Sequence, residues 1–219
     1  MTSSNAARAT RPPERPRASS PQPRSGSGGY RAPELVAPLD VRESLARVPR
    51  HATGKGMFVA RLLDELDAAG IARPTSERFV PFADYPLVRC MELNVEIARL
   101  LYPRAPEREA LRRVAWRSFG IFAESLVGRV LFGALACDVM SVLRLSSVAL
   151  ARCTNVGTQR VEHCDPFTAI LHVDDAYFFA ESFGVGMVEG LFKASRRSGE
   201  VRVDMRSPTA GSFQILLDP

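Results

Sequence analysis

Histidine, tryptophan and paired cysteines are scarce in this sequence. It contains three histidines, one tryptophan and four cysteines among 219 residues, and no two cysteines form a Cys-x-x-Cys pair. Zinc ribbons and dithiol redox sites need such pairs, and a secreted disulfide scaffold needs a higher density of cysteine. Cys90, Cys137, Cys153 and Cys164 are therefore predicted to be reduced thiols of a cytoplasmic protein.

A long uninterrupted apolar run is also missing. The most apolar stretch, residues 119–143, is broken by Glu124, Arg129 and Asp138, and charges at the centre of a bilayer are costly. The first residues of the chain contain no apolar segment of the kind found in secretory signals. Neither a membrane span nor a signal peptide is predicted.

The positive charge is concentrated at the N-terminus. The formal net charge is +5, yet residues 1–33 hold six of the 29 basic residues and only one of the 24 acidic ones. The rest is formally neutral, with Arg112, Arg113 and Arg117 as a local basic surface, so nucleic-acid binding is not expected of the folded part. High proline content predicts a disordered tail over residues 1–36, either a spacer or an arginine-rich binding segment, and a single domain over 37–219.

Hydrophobic periodicity changes once along the chain. Apolar residues recur at helical spacing in residues 56–71, in 86–101, from Pro106 past Val130 and in 139–151. After residue 157 the spacing becomes two, which predicts four strands with one helix, residues 175–197, inserted between the second and third. The predicted fold class is α+β, with an N-terminal layer of about four helices followed by a four-stranded antiparallel sheet that holds one inserted helix.

Support for a metal site or a catalytic site is weak. Zinc would need Cys153, Cys164 and His163 together, but adjacent residues on a strand point to opposite faces, so buried thiols explain these cysteines better. A nucleophile would need an oriented histidine, and only His163 and His172 are predicted to lie on neighbouring strands. No catalytic residue and no metal ligand is therefore predicted, and an enzyme ranks third among the functional hypotheses.

Two polar residues interrupt the apolar faces of the predicted helices. Asn94 lies in the stripe of the helix over 86–101, and Glu124 lies in that of the helix after Pro106. A buried polar group needs a partner, which is either a loop carbonyl or a bound ligand. We predict an apolar pocket between the helical layer and the sheet, with Asn94 or Glu124 as its polar contact. Its predicted apolar lining is Phe122, Leu126, Phe179, Phe183 and Met187.

Small residues in the last predicted helix favour close packing. Gly186, Gly190 and Ala194 recur every four residues and form a ridge without bulk, on which a helix, a sheet or a second copy of the chain could pack. A homodimerising adaptor that uses this ridge, or an exposed helix face, is therefore the second functional hypothesis.

Five short segments spread along the chain form a recognisable series. They are GMF, FADYPL, ARLLYPRAPEREALRRV, FAESLVGR and the glycine-containing last helix with the final strand, and they span about residues 40–217. Taken together, they resemble a large myxobacterial paralogous family of unknown function, domain of unknown function 2378. That family is similar in layout to the ligand-binding fold shared by haem nitric-oxide sensors, vinyl-reductase-type domains and vesicle-tethering TRAPP subunits. The resemblance implies a non-catalytic regulatory or scaffolding module.

The resemblance implies no cofactor. Haem sensors hold iron through a histidine on a helix, and none of the predicted helices contains one. The cysteine and acidic cluster of the zinc-binding relatives does not align with Cys153 and Cys164. The leading hypothesis is therefore a cytoplasmic signalling module that holds a small hydrophobic ligand, or the helix of a protein partner, in the apolar pocket.

Overall fold

A computed structural model describes residues 39–125, 128–130 and 138–219 of the chain. The tail predicted over residues 1–36 falls outside these ranges, as do Leu126 and Cys137. A helical layer precedes a four-stranded antiparallel sheet with one inserted helix, which confirms the predicted α+β class. Within the described ranges, no helix combines the length and the apolar character that crossing a bilayer requires.

The helical layer occupies the first half of the chain. It also contains one short antiparallel strand pair, in which Gly54 lies opposite Tyr85. The elements are α1 (Val41–Ala46), β1 (Thr53–Lys55), α2 (Met57–Ala68), β2 (Asp84–Pro86), α3 (Leu87–Leu101) and α4 (Glu107–Glu124).

The end of α2 follows the predicted pattern. Leu62 and Leu66 are fully buried on one side of this helix. Gly70 has a φ of 69°, the left-handed conformation that glycine adopts without steric cost. The amide of Ile71 then donates to the carbonyl of Leu66 at 2.9 Å, which closes the helix C-terminus.

Helix α4 ends earlier than the sequence predicts. The prediction continued it past Val130, but Ser125 has an extended backbone with a ψ of 162°. Its hydroxyl donates to the carbonyl of Phe122 at 2.7 Å and accepts from the amide of Gly128 at 3.0 Å. Serine side chains compete with the helical backbone in this way, so Ser125 ends one helix and starts the next turn.

The helix predicted over residues 139–151 is two helices, α5 (Val139–Arg144) and α6 (Ser146–Cys153). They meet at Leu145, whose ψ of −2° departs from regular α-helix geometry. Asp138 caps α5, as predicted, by accepting from the amides of Met140 and Ser141 at 3.2 Å each. Ala149 of α6 is buried.

Four strands form the main sheet, namely β3 (Thr158–Asp165), β4 (Thr168–Asp174), β5 (Gly199–Ser207) and β6 (Ala210–Leu217). Their order in the sheet is β3-β4-β6-β5, and all neighbours are antiparallel. The inner face of the sheet carries buried apolar side chains, among them Leu171, Val203 and Phe213. A π-helical turn, Ala180–Gly184, follows β4 and continues into α7 (Val185–Ala194).

The glycine ridge of α7 packs inside the chain. A Cβ atom on Gly186 would lie 2.0 Å from the carbonyl oxygen of Arg112, and one on Gly190 would lie 2.6 Å from that of Trp116. Both glycines therefore allow α7 to contact the backbone of α4 directly. The prediction of a dimer interface on this ridge is wrong, because α4 already covers it and Ala194 lies exposed beyond the contact.

Candidate functional site

A cavity of about 190 Å³ lies between the helical layer and the sheet. Two helices line it with side chains spaced three, four and seven residues apart, which is one face of a helix. These stripes are Leu87, Cys90, Met91 and Asn94 on α3, and Ser146, Ala149, Leu150 and Cys153 on α6.

The remainder of the wall is mainly aromatic and aliphatic. Phe58 and Phe122 meet on one side with their ring centroids 6.3 Å apart. Elsewhere in the wall, Gly184 lets the Phe213 ring approach, since a Cβ on Gly184 would lie 3.0 Å from that ring. Further lining residues are Val59, Phe119, Val142, Leu143, Leu171, Phe178, Phe183, Met187, Val188 and Leu191.

The structure brings four of the seven predicted site residues to this cavity, namely Asn94, Phe122, Phe183 and Met187. Phe179 is buried instead among the side chains that surround α2 and α3. Glu124 is exposed, because α4 ends there and its side chain no longer belongs to an internal helical face. Leu126 lies outside the described residues.

Two buried polar atoms face this apolar environment without a hydrogen-bond partner. They are Asn94 Oδ1 and Ser146 Oγ, and they are the only such side-chain atoms in the part of the chain that the structure describes. Asn94 is only 9% exposed. A loop carbonyl could pair only with its amide N–H groups and would leave Oδ1 without a partner. Sequence reasoning missed Ser146, although it begins the apolar stripe of α6.

The other polar side chains of the wall that form contacts lie near β1. Lys55 pairs with Asp84, with 2.8 Å between Nζ and Oδ1. Thr154 follows α6, forms an isolated β-bridge to Gly54, and its Oγ1 accepts from the amide of Val156 at 3.3 Å. Both residues therefore differ from Asn94, whose Oδ1 is buried and has no hydrogen-bond partner.

The two cysteines of the wall are neutral thiols at physiological pH. Burial raises the pKa of Cys90 to about 11 and that of Cys153 to about 12. The thiolate is the nucleophilic and metal-binding form, so both side chains behave as small apolar groups here. Over the described ranges, no three His, Cys, Asp or Glu residues converge as metal ligands.

His51 and His172 are not assembled into a catalytic group among the residues that the structure describes. His51 is exposed, and His172 contacts Glu162, with 3.3 Å between Nε2 and Oε2. His163 and His172 lie on the neighbouring strands β3 and β4, as predicted, but the register pairs His172 with Arg160 and His163 with Ala169, so the two residues are not opposite each other.

Ion pairs lie along the contact of α4 with α7 and with the π-helical turn that precedes α7. Arg112 was expected on a basic surface, but it is buried, and its Nε donates to Glu189 at 2.7 Å while Nη1 reaches Glu109 at 2.9 Å. Burial alone would lower the pKa of Arg112, but these carboxylates raise it overall. Burial also raises the pKa of Glu189, which Arg112 opposes. A second pair joins Arg108 to Glu181 at 2.9 Å.

Comparison with known families supports this description. A family model described as "Protein of unknown function (DUF2378)" matches residues 47–216. The chain belongs to this family. No match was found among curated proteins.

Solved structures of H-NOX proteins share the fold of this DUF2378 chain. An Fe(II) unliganded H-NOX protein from K. algicida is 14% identical with a TM-score of 0.60, and the match covers 75% of this chain and 97% of that one. An H-NOX protein from S. oneidensis in the Fe(II) state is 13% identical with a TM-score of 0.62 and coverages of 75% and 96%. A third, from work on heme distortion in the H-NOX family, is 11% identical with a TM-score of 0.53 and coverages of 75% and 93%. These likenesses confirm the layout that the sequence resemblance implied.

Heme does not fit the donors that the described wall provides. Heme iron is usually held by a histidine, a thiolate or a tyrosinate, with methionine serving beside histidine. No described side chain of the wall is a histidine or tyrosine. Cys90 and Cys153 are held neutral by their raised pKa values. Met91 and Met187 are the remaining soft donors, and neither has a histidine partner among the described lining residues.

Proposed function

We propose that this chain is a non-catalytic regulatory module that binds a small, largely apolar molecule in the cavity between its helical layer and its sheet. The observation that carries the proposal is the cavity itself, which is apolar over most of its wall and contains two unpaired polar atoms. An apolar cavity of about 150 Å³ can hold a benzene ring. A cavity of about 190 Å³ therefore has room for a ring with one or two substituents.

The lining favours a small molecule over the helix of a protein partner. Residues of α2, α3, α4, α6 and α7 and of the sheet all contribute to the wall, so the cavity is bounded on several sides. A partner's helix needs an open apolar groove along which it can lie. The sequence left both occupants open, and this lining supports the small ligand.

The chemistry of the wall supports binding without turnover. Its two thiols have raised pKa values, so they are protonated at neutral pH. Its lysine, Lys55, is paired with Asp84 near β1. The described wall therefore presents no activated nucleophile and no free general base. Free thiols at Cys90 and Cys153 also suit a reducing compartment, which supports the proposal of a cytoplasmic protein.

Benzene titration with a cavity-filling variant tests the proposal. Ala149 is buried and lines the cavity, so Ala149→Phe would place a ring inside it, while the neighbouring Val148 is 44% exposed and Val148→Phe serves as a matched control. We expect saturable binding of one benzene per chain, measured by calorimetry, in the wild type and in Val148→Phe. Binding should be lost in Ala149→Phe.

Absence of saturable benzene binding by the folded wild-type chain would overturn the proposal. Equal binding by the wild type and by Ala149→Phe would show that benzene binds outside the cavity, and this result would also overturn the proposal. Mass spectrometry of an organic extract of the purified protein complements the titration, because a ligand that copurifies with the wild type should be lost from Ala149→Phe.

A further inference from the structure

The two unpaired polar atoms of the described structure belong to one cavity. Asn94 Oδ1 and Ser146 Oγ are buried without a partner, and both residues line the space between α3 and α6. Buried polar groups in proteins are nearly always hydrogen-bonded. Two exceptions in the same apolar cavity indicate that a molecule inside it supplies the missing partner.

Both residues lie away from the end of the cavity near β1. Gly54 bridges to Thr154 there, and a Cβ on Gly54 would lie 3.3 Å from Leu87 and 3.8 Å from the carbonyl of Cys153. Asn94 is seven residues along α3 from Leu87, and Ser146 is seven residues along α6 from Cys153, which is about 10 Å in each helix. Apolar side chains separate the two polar residues from the β1 end.

The hydrogen-bonding capacities of Asn94 Oδ1 and Ser146 Oγ define the polar group of the ligand. An amide oxygen only accepts, whereas a serine hydroxyl both donates and accepts. A hydroxyl on the ligand satisfies both atoms, because it donates to Asn94 Oδ1 and accepts from Ser146 Oγ. A carbonyl or ether oxygen would leave Asn94 Oδ1 unpaired.

Charged ligand groups fit the cavity poorly. A buried carboxylate would need a cation, and Lys55 lies at the β1 end and is paired with Asp84. A buried ammonium would need a carboxylate, and no Asp or Glu is among the described residues of the wall. Uncompensated burial of either charge is strongly unfavourable.

We infer that the ligand is a neutral, ring-sized apolar molecule with one hydroxyl group, which donates to Asn94 Oδ1 and accepts from Ser146 Oγ. The inference rests on the proposed function and adds the chemical class of its ligand. The volume of about 190 Å³ limits the molecule to a ring with small substituents.

Phenol and toluene form a matched pair of probes, because they have the same number of heavy atoms and differ by a hydroxyl in place of a methyl group. Their Kd values are measured by calorimetry for the full chain and for Asn94→Leu, Ser146→Ala and Ser147→Ala. Ser147 is the exposed neighbour of Ser146 and is the control. We expect the preference for phenol over toluene to fall about tenfold in Asn94→Leu and about threefold in Ser146→Ala, as losing one buried hydrogen bond implies. Ser147→Ala should leave the preference unchanged.

The outcomes separate this inference from the proposed function. If the wild type binds toluene and phenol but neither Asn94→Leu nor Ser146→Ala changes the ratio of their Kd values, the hydroxyl inference fails and the proposed function stands. If the folded wild type binds neither probe nor benzene, the proposed function fails. Thermal melting establishes that each variant is folded, and Ser146→Ala tests the inference alone if Asn94→Leu does not fold.

Discussion

At the scale of single residues, the cavity determines how its thiols behave. Cys90 on α3 and Cys153 on α6 contribute sulfur atoms to an apolar wall, and burial raises their pKa values to about 11 and about 12. Both thiols therefore stay protonated in the folded state at a pH at which the same thiols ionise in the unfolded chain. Folding is linked to protonation at these two positions.

Stability should decrease in alkaline solution because of these thiols. The pKa of each thiol is higher in the folded state than its unfolded value of about 9.0. The stability that each protonated thiol contributes is therefore fully present below pH 9 and is lost as the pH rises through the folded-state pKa. Between pH 9 and 10.5 we expect the free energy of unfolding to fall by about 1–2 kcal/mol more in the wild type than in Cys153→Ala. Guanidinium unfolding with a reductant measures the difference, and identical pH slopes would contradict the expectation.

The residue-level site was partly predictable. Asn94 could be found from the sequence because a polar residue inside an apolar helical stripe is visible without coordinates. Glu124 and Leu126 were chosen on the assumption that α4 continues, and the two hydrogen bonds of Ser125 end it. Ser146 was missed because the sequence did not show that a new helix begins there, which depends on the local backbone of Leu145.

At the scale of elements, α4 and α7 form a close helix contact. Gly186 and Gly190 bring the two backbones together, and the Arg112–Glu189 pair is buried beside them. The glycine spacing predicted a close contact from the sequence. The partner helix could not be predicted, because the pairing of Arg112 with Glu189 is set by tertiary packing across 77 residues of chain.

Two glycine substitutions should have opposite effects on stability. A Cβ on Gly186 would lie 2.0 Å from the carbonyl of Arg112, whereas a Cβ on Gly120 in α4 would meet nothing within 4 Å. We expect Gly186→Ala to lower the free energy of unfolding by about 1–3 kcal/mol through overpacking. Gly120→Ala should raise it by about 0.5–1 kcal/mol through helix propensity. Chemical denaturation measures both, and equal effects would contradict the described contact.

The buried pair beside these glycines gives a second test of the same contact. Arg112→Met would leave Glu189 buried without its cation, and we expect a loss of about 3–5 kcal/mol in the free energy of unfolding. Arg113→Met is the control, because Arg113 is exposed and contacts Glu109 on the same helix at 2.8 Å, and it should cost less than about 1 kcal/mol. Adding Glu189→Leu to Arg112→Met should recover much of the loss. A double variant as unstable as the single one would contradict the pairing.

At the scale of the whole molecule, the cavity lies between two hydrophobic clusters. One cluster surrounds α2 and α3 and includes Leu87 and Met91. The other joins the sheet to α5, α6 and α7 and includes Ala149 and Phe213. All four residues line the cavity, so an occupant contacts both clusters at once. The change from helical to strand periodicity predicted the two layers, but the division of the core follows from how the layers pack.

Ligand binding should therefore stabilise both layers together. A molecule that binds only the folded state at ten times its Kd stabilises that state by about 1.4 kcal/mol, which slows exchange through unfolding about tenfold. With phenol at that concentration, we expect amides of α3 and of α6 to gain similar protection in hydrogen-exchange mass spectrometry. The filled variant Ala149→Phe should gain none at the same phenol concentration. Protection confined to α3 would show that the ligand contacts one cluster alone. Ligand binding in the helical layer would then have no effect on the stability of the sheet, and the module could not signal through it.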